Sequence, residues 1–345
     1  MAGRDEEVVV SEAEEVVHLV DTITDPYLVW VAEEPRCIAS RYADSLAGAF
    51  RVVEDRTPGS ERNWKVSRPT ETERICSYYS GDRFPMYEFV FKELGLRLPF
   101  SDFQVGVMGR LRLAPSQLHP NAFGFIRAFE LVCQYLEIGA TTSLFLRCFK
   151  IQIQTVEGKH GWVSLKNNGK RLFKMFVDSV RNFKDKYFLV TSVSESAFSS
   201  ALELTTEVDD EGNVLYDEDG NVKTELVSLF PFHWTEAHFD EEPKDYLVKH
   251  EELSEDDQDS YIKLCHYVDS FFPAQWVTRD NREIVDENDE PIFEARVIDT
   301  RALLGCKTLG EAMELLGFAC IFSLLMLGSC FYCRCRINHT CLFCR

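Results

Sequence analysis

The chain has 345 residues, of which 45% are hydrophobic, 27% charged and 12% aromatic. That composition excludes a disordered tail and a multi-span membrane protein, and the length allows one large domain or two small ones. The formal net charge of -20 argues against uniform coating of nucleic acid or anionic lipid, because an acidic surface repels phosphate over about a Debye length.

The average hides an asymmetry. Residues 91–200 carry 15 Lys/Arg and 8 Asp/Glu, whereas residues 201–300 carry 7 and 29. The basic middle is a candidate phosphate-facing surface, and intramolecular charge balance is the simpler reading of the same pattern. The N-terminus MAGRDEEVVV lacks a basic n-region and an apolar h-region, so no secretory or transit peptide is expected and the cytoplasm is the default location. Cys37, Cys76, Cys133, Cys148 and Cys265 are widely spaced and read as reduced core cysteines.

In chain order, residues 1–20 suit a short helix or an arm, and PYLVWVAEEP followed by RYADSLAGAF suits an apolar run and a helix. The apolar spacing from Phe84 to Leu94 predicts an amphipathic helix ending near Gly95. A helical hairpin follows. Ser101 and Asp102 supply cap chemistry for a helix through Phe103, Val107 and Leu111, Pro115 and Pro120 punctuate the connection, and Phe123 to Leu136 lines the second helix. FLRCFKIQI (Phe145–Ile153) alternates as a strand, EGKHG suits a turn, and Trp162–Leu165 returns as a second strand. Lys170–Phe188 is basic and aromatic, helical in part, and runs into a strand over Tyr187–Thr191.

Beyond it, DEGNVLY and DEDGNVKT form a short near-repeat with Gly212 and Gly220 eight positions apart, which predicts acidic hairpin tips. The ligand spacing of an EF-hand is not met there. An acidic linker over Glu241–Asp259 leads into a helix at Ser260–Phe272, VTRDNREIVDENDEPIFEARVI resembles another acidic hairpin, and Thr300–Leu316 is helical. No long-period repeat is evident. The organisation expected is an acidic region at 1–79, a central domain at 80–240, an acidic linker and helices at 241–314, and an apolar, cysteine-rich tail at 315–345.

Strong catalytic signatures are absent from the sequence: no GxxxxGK[ST] loop, HExxH helix or GxSxG elbow. Asp21-Thr22 and Asp299-Thr300 lack the glycine of a retroviral-type aspartic protease, and Asp44 stands without a paired carboxylate. His233 and His238 have spacing compatible with zinc but no Cys pair before them, so aromatic packing in PFHWTEAHF is preferred. Cys330, Cys333, Cys335, His339, Cys341 and Cys344 do not match a retroviral knuckle. No enzyme, cofactor, metal or small-molecule substrate is inferred. Leu315–Cys333 runs 19 residues without a charge, long enough to span a bilayer as a helix. It is either a tail anchor or a mistranslated extension.

Leu96–Phe103, then Leu113-Ala114-Pro115-Ser116-Gln117-Leu118-His119-Pro120-Asn121 and Phe125–Glu130, resemble the plant gypsy-type transposon domain. Gly161–Leu165, Asn182–Phe188 and Pro231–Thr235 agree with it, so the resemblance covers about residues 80–240. It implies a retrotransposon-derived chain in a gag-like position and carries over no catalytic residue. The expected fold is α+β: a helical hairpin plus a small antiparallel sheet, acidic hairpin loops and a C-terminal apolar helix. The expected function is non-enzymatic, through self-association or RNA contact. Candidate RNA contacts are Lys166, Lys170, Arg171, Lys174, Arg181, Lys184 and Lys186, with Phe173, Phe183 and Tyr187 for stacking or for the core. The alternative is a tail-anchored membrane protein with a cytosolic interaction domain.

Overall fold

The computed structural model describes residues 25–44, 64–79, 83–156, 158–192, 202–209, 212–217, 220–271, 273, 275, 278 and 282–326. The fold is α+β, arranged around helix α4 (Pro120–Leu136). His119 caps α4, its Nδ1 accepting from the Asn121 N–H at 3.2 Å, and Pro120 fills the first turn, where no N–H is needed. Twelve of its 17 residues are buried, so the helix is wrapped by protein on most sides. Gly124 permits a close approach: a Cβ there would lie 3.3 Å from Phe176 Cβ.

Helix α3 (Asp102–Leu111) is capped by Ser101 and closed by Arg112 in the left-handed region at φ 51°. It packs on α4 through Phe103 and Phe129, with ring centroids 5.4 Å apart, and through Glu130, which accepts from Ser101 Oγ, Gln104 Nε2 and Arg127. This is the helical pair that the sequence predicts. Upstream, the helix expected over Phe84–Gly95 divides into strand β2 (Arg83–Tyr87) and a short α2 (Glu88–Lys92). Phe84, Met86 and Tyr87 are buried together with Pro85, and burial on both faces erases the alternation that marks a strand.

Strand β2 and strand β1 (Trp64–Ser67) flank β6 (Tyr187–Ser192) in an antiparallel sheet of order β1-β6-β2, with Trp64 opposite Ser192 and Tyr87 opposite Tyr187. The strand expected from Phe145 starts late. Thr141 caps helix α5 (Thr142–Cys148), its Oγ1 accepting from Leu144 N at 3.0 Å and donating to the Asp257 carboxylate at 2.9 Å, so β3 begins only at Phe149. β3 (Phe149–Val156) and β4 (Lys159–Asn167) then form the expected hairpin, turning at Gly158 with φ +74°. Lys170–Lys186 contains no helix. Asn167 Oδ1 accepts from Leu172 N and Phe173 N while its Nδ2 donates to Phe173 O, which fixes a loop and the two-residue β5 (Phe173–Lys174).

Helix α6 (Glu255–Asp269) begins five residues before the expected Ser260, because Ser254 Oγ accepts from Asp257 N at 3.1 Å and sets the cap there. β9 (Ile298–Asp299) pairs in parallel with β5, α7 (Thr300–Leu304) packs on α4, and α8 (Leu309–Met326) follows. Ala312 and Leu316 of α8 are buried, and the Leu316 carbonyl accepts from the Tyr267 hydroxyl at 2.8 Å. Among the described residues no helix is long and apolar enough to cross a membrane. The expected arm at 1–20, residues 45–50 of the helix expected over 41–50, most of the apolar 315–333 segment and the terminal cysteine cluster lie outside the described residues or side chains, and residues 41–44 at the start of that expected helix form a turn and bend.

Although no long-period repeat is evident in the sequence, a double-hairpin pattern of about 20 residues recurs in the backbone at an offset of 69 positions. β7 (Leu202–Thr206) and β8 (Thr224–Ser228) pair up to Thr206 opposite Thr224, and inside them lie two hairpins, Val208 opposite Val214 and Tyr216 opposite Val222. A ring of three backbone bonds, each 2.9 Å, joins them: Glu207 N to Lys223 O, Leu215 N to Glu207 O, and Lys223 N to Leu215 O.

Residues 275–293 repeat the pattern. Gln275 lies opposite Phe293, Val285 lies opposite Pro291, and Ile292 N donates to Ile284 O at 3.0 Å. The turns match as well. Asn221 N to Asp217 Oδ1 corresponds to Glu290 N to Asp286 Oδ1, and Asn213 N to Asp209 Oδ1 corresponds to Arg282 N to Thr278 Oγ1. Gly220 at φ +82° has its counterpart in Asp289 at φ +61°. The single acidic hairpin expected after Pro273 is thus a second double hairpin.

Candidate nucleic-acid interface

The candidate surface starts from the alternation of the β3–β4 hairpin. Phe149, Ile151 and Leu165 point into the core, which leaves Lys150 and Lys166 on the outer face, directly opposite one another in register. Two like charges across a ladder oppose each other, and nothing on that face neutralises them: neither makes an ion pair with a described residue.

The seven cations singled out by sequence divide. Lys170 is bound to Asp269 at 2.6 Å, and Lys184 to Glu34 at 2.6 Å while its ammonium lies 4.7 Å over the Trp162 ring. Trp162 in turn donates from Nε1 to the Tyr87 hydroxyl at 2.6 Å, so Lys184 belongs to a packed corner. Lys166, Arg171, Lys174 and Arg181 are exposed and Lys186 is half-buried, none of them in an ion pair with a described residue. Phe173, Phe183 and Tyr187 are 0%, 3% and 0% exposed. They are core side chains with no ring face open to a base. Lys150 was not singled out by sequence, although its place in FKIQI, between inward Phe149 and Ile151, marks it for the outer face once the hairpin register is known.

The histidines pack among aromatics as expected. His238 is fully buried, its Nδ1 2.7 Å from the Leu111 carbonyl and its ring stacked on Tyr246 at 4.9 Å, and burial lowers its pKa to about 4. His233 lies 4.4 Å from the Tyr78 ring. Among the described residues no group of three His, Cys, Asp or Glu side chains could hold a metal. A groove of about 370 Å³ between α3 and Leu229, lined by Asp102, Gly106, Gly109 and Arg110, carries no nucleophile beside a base.

The run from Leu113 to Asn121 is a junction and not a binding loop. Ser116 and Gln117 are fully buried, with Ser116 Oγ accepting from the Trp234 indole N–H at 3.0 Å and Gln117 Nε2 donating to the Thr235 carbonyl at 3.0 Å. His119 N donates to Val163 O of β4 at 2.9 Å, and Asn121 Nδ2 donates to Val177 O at 2.8 Å. One short segment thereby ties together the hairpin, the loop after β5 and the stretch around Trp234.

The β3–β4 hairpin thus presents a cationic outer face, and the residues of the Leu113–Asn121 run make internal hydrogen bonds. Residues 87–153, from the end of β2 through α2 to α5 and into β3, match the family model described as "Putative gypsy type transposon". The match covers 67 of the 345 residues and marks that segment as a gypsy-type transposon domain. No curated protein and no solved structure matches it.

Proposed function

We propose that this is a non-enzymatic, retrotransposon-derived protein of gag-like type that works by associating with copies of itself. The observation that carries this reading is where its exposed apolar side chains lie. Tyr216 at 59% and Val208 at 51% exposure in the first double hairpin, and Phe293 at 52% in the second, stand among acidic turns, while Lys150 and Lys166, in no ion pair with a described residue, lie on the β3–β4 face. Exposed apolar residues concentrated on small elements mark surfaces that are covered in the functional assembly. The non-enzymatic part of the reading draws on the missing catalytic motifs and on the burial of His238 and the buried hydroxyl of Ser116.

Light scattering on the nuclease-treated full chain over a concentration series tests the reading. A mass that rises with concentration supports it, and a monomer at every concentration rules it out. Contact with RNA phosphates is the second reading, favoured by the Lys150–Lys166 pair, and larger species that form only with added RNA would replace the first reading with it.

A further inference from the structure

We propose that the two double hairpins are equivalent docking elements, and that what each takes is the Lys150–Lys166 face of a second copy of this chain. The inference rests on the self-association reading and names its surfaces.

Equivalence comes from the double hairpin repeated at an offset of 69 positions. Among the described residues both units share two pairings, Thr206–Thr224 with Gln275–Phe293 and Tyr216–Val222 with Val285–Pro291, and the same turn hydrogen bonds, and both hold a left-handed residue at the same place, Gly220 and Asp289. Residues 205–225 and 274–294 coincide only at Val208/Val277, Asp217/Asp286, Glu218/Glu287 and Glu225/Glu294. One of the four, Asp217/Asp286, is the turn acceptor of both units. Each unit also presents an exposed apolar residue at the shared position ahead of the turn, Tyr216 at 59% and Val285 at 40%.

The occupant follows from charge. The first unit carries eight Asp/Glu against one Lys, and the second seven against two Arg. Two such units repel each other, so a symmetric contact of unit on unit is disfavoured, whereas a basic strand face attracts either one. The β3–β4 outer face supplies that complement. Lys150 and Lys166 stand side by side without a counter-ion among the described residues, and their long methylene stems offer apolar surface to Tyr216 or Val285. A contact between unlike patches is head-to-tail, so it propagates from copy to copy, and two docking elements per chain allow it to branch.

Complementation between two full-length variants tests the proposal. Lys150→Glu/Lys166→Glu removes the basic face and keeps the docking elements; Tyr216→Ser/Val285→Ser does the reverse. Lys166, Tyr216 and Val285 are exposed and Lys150 is half-buried, and circular dichroism on each variant checks that it folds. Each variant alone is expected to associate at least about tenfold more weakly than the wild type, the loss typical of truncating an interface anchor. Mixing the two is expected to restore a mixed complex of up to two Tyr216→Ser/Val285→Ser chains per Lys150→Glu/Lys166→Glu chain with near wild-type affinity, because each supplies the patch that the other lacks.

Tyr216→Ser or Val285→Ser alone is expected to leave one working element and an intermediate affinity. Wild-type association by both variants, or no complex on mixing, overturns the proposal while leaving self-association standing. A monomeric wild type overturns both. Loss of RNA retention in Lys150→Glu/Lys166→Glu, with self-association intact, assigns the face to RNA and also overturns the proposal.

Discussion

The indole N–H of Trp234 donates to Ser116 Oγ at 3.0 Å across 118 positions of sequence, both groups buried. Beside it Gln117 and Thr235 exchange side-chain and backbone bonds, Nε2 to the Thr235 carbonyl and Thr235 N to Oε1. Polar groups enclosed in this way contribute modestly when paired and cost heavily when orphaned. Ser116→Ala should therefore lower stability by about 1–3 kcal/mol, the penalty for a buried unsatisfied donor. Urea denaturation checks it, as a lower midpoint at unchanged slope. An unchanged midpoint would mean that Trp234 finds another acceptor.

Helix α3 reaches the chain at Leu229 through Gly109. A Cβ at 109 would lie 2.3 Å from the Leu229 carbonyl oxygen, which is backbone and cannot swing aside. Alanine normally stabilises a helix by about 1 kcal/mol over glycine, so the sign depends on this contact. Gly109→Ala is predicted to destabilise by about 1–3 kcal/mol, as overpacking does. Gly161→Ala, where nothing lies within 4 Å, should be close to neutral. Thermal melts of the two variants give the comparison.

His238 makes stability depend on pH. Its ordinary pKa of 6.5 falls to about 4 in the fold, chiefly because burial penalises the imidazolium. Above pH 6.5 both states keep the ring neutral. Between 6.5 and about 4 only the unfolded chain takes the proton, so stability is lost as pH falls, and below about 4 the loss is complete. At about 1.4 kcal/mol per pKa unit the loss is on the order of 3 kcal/mol. His238→Asn, which keeps a donor for the Leu111 carbonyl, should flatten this limb in a pH series of denaturation midpoints. An unaltered limb would place the acid sensitivity elsewhere, with His119, whose pKa burial likewise lowers to about 4, as the next residue to change.

Thiol reactivity should follow burial. Cys76, Cys133 and Cys148 are buried and free, with burial pushing the Cys76 thiol up to about 12 and the other two well above their ordinary value, whereas Cys37 is exposed. At pH 8 an alkylating reagent should label Cys37 quickly and the other three only in denaturant, read by peptide mass mapping. Rapid native labelling of Cys133 would show that α4 is not wrapped as described.

Opposed lysines leave room for gain. Lys166→Glu turns the cross-strand pair with Lys150 into an opposite-charge pair and should stabilise the hairpin by about 0.2–1 kcal/mol, measured as a small rise in melting temperature. A fall would mean that the two ammonium groups are already kept apart by other contacts.

The helical pair and the β3–β4 hairpin were legible because their signals are local: Ser101 and Pro120 mark helix starts, and Gly158 marks a turn. Other elements depended on distant partners. Phe84–Tyr87 has helical apolar spacing yet lies flat against β6, and the alternation of FLRCFKIQI was overruled by the Thr141 cap held from Asp257. The basic, aromatic stretch at 170–188 resembled a nucleic-acid platform, but its rings are buried and two of its cations are held by Asp269 and Glu34. The double hairpin repeated at an offset of 69 left almost no trace in side chains, since backbone bonds and short turn acceptors define it, with Thr278 standing in for Asp209 and Asp289 for Gly220.

Self-association through charged surfaces is the central claim, and the mass of the nuclease-treated full chain against salt tests it most directly. At about 0.1 M salt the Debye length is roughly 10 Å and at about 1 M roughly 3 Å, so a contact between acidic and basic faces weakens across that range. Light scattering should give a mass above the 39.8 kDa of one chain at the lower salt, falling toward 39.8 kDa at the higher. A mass of 39.8 kDa at both salts would contradict the account.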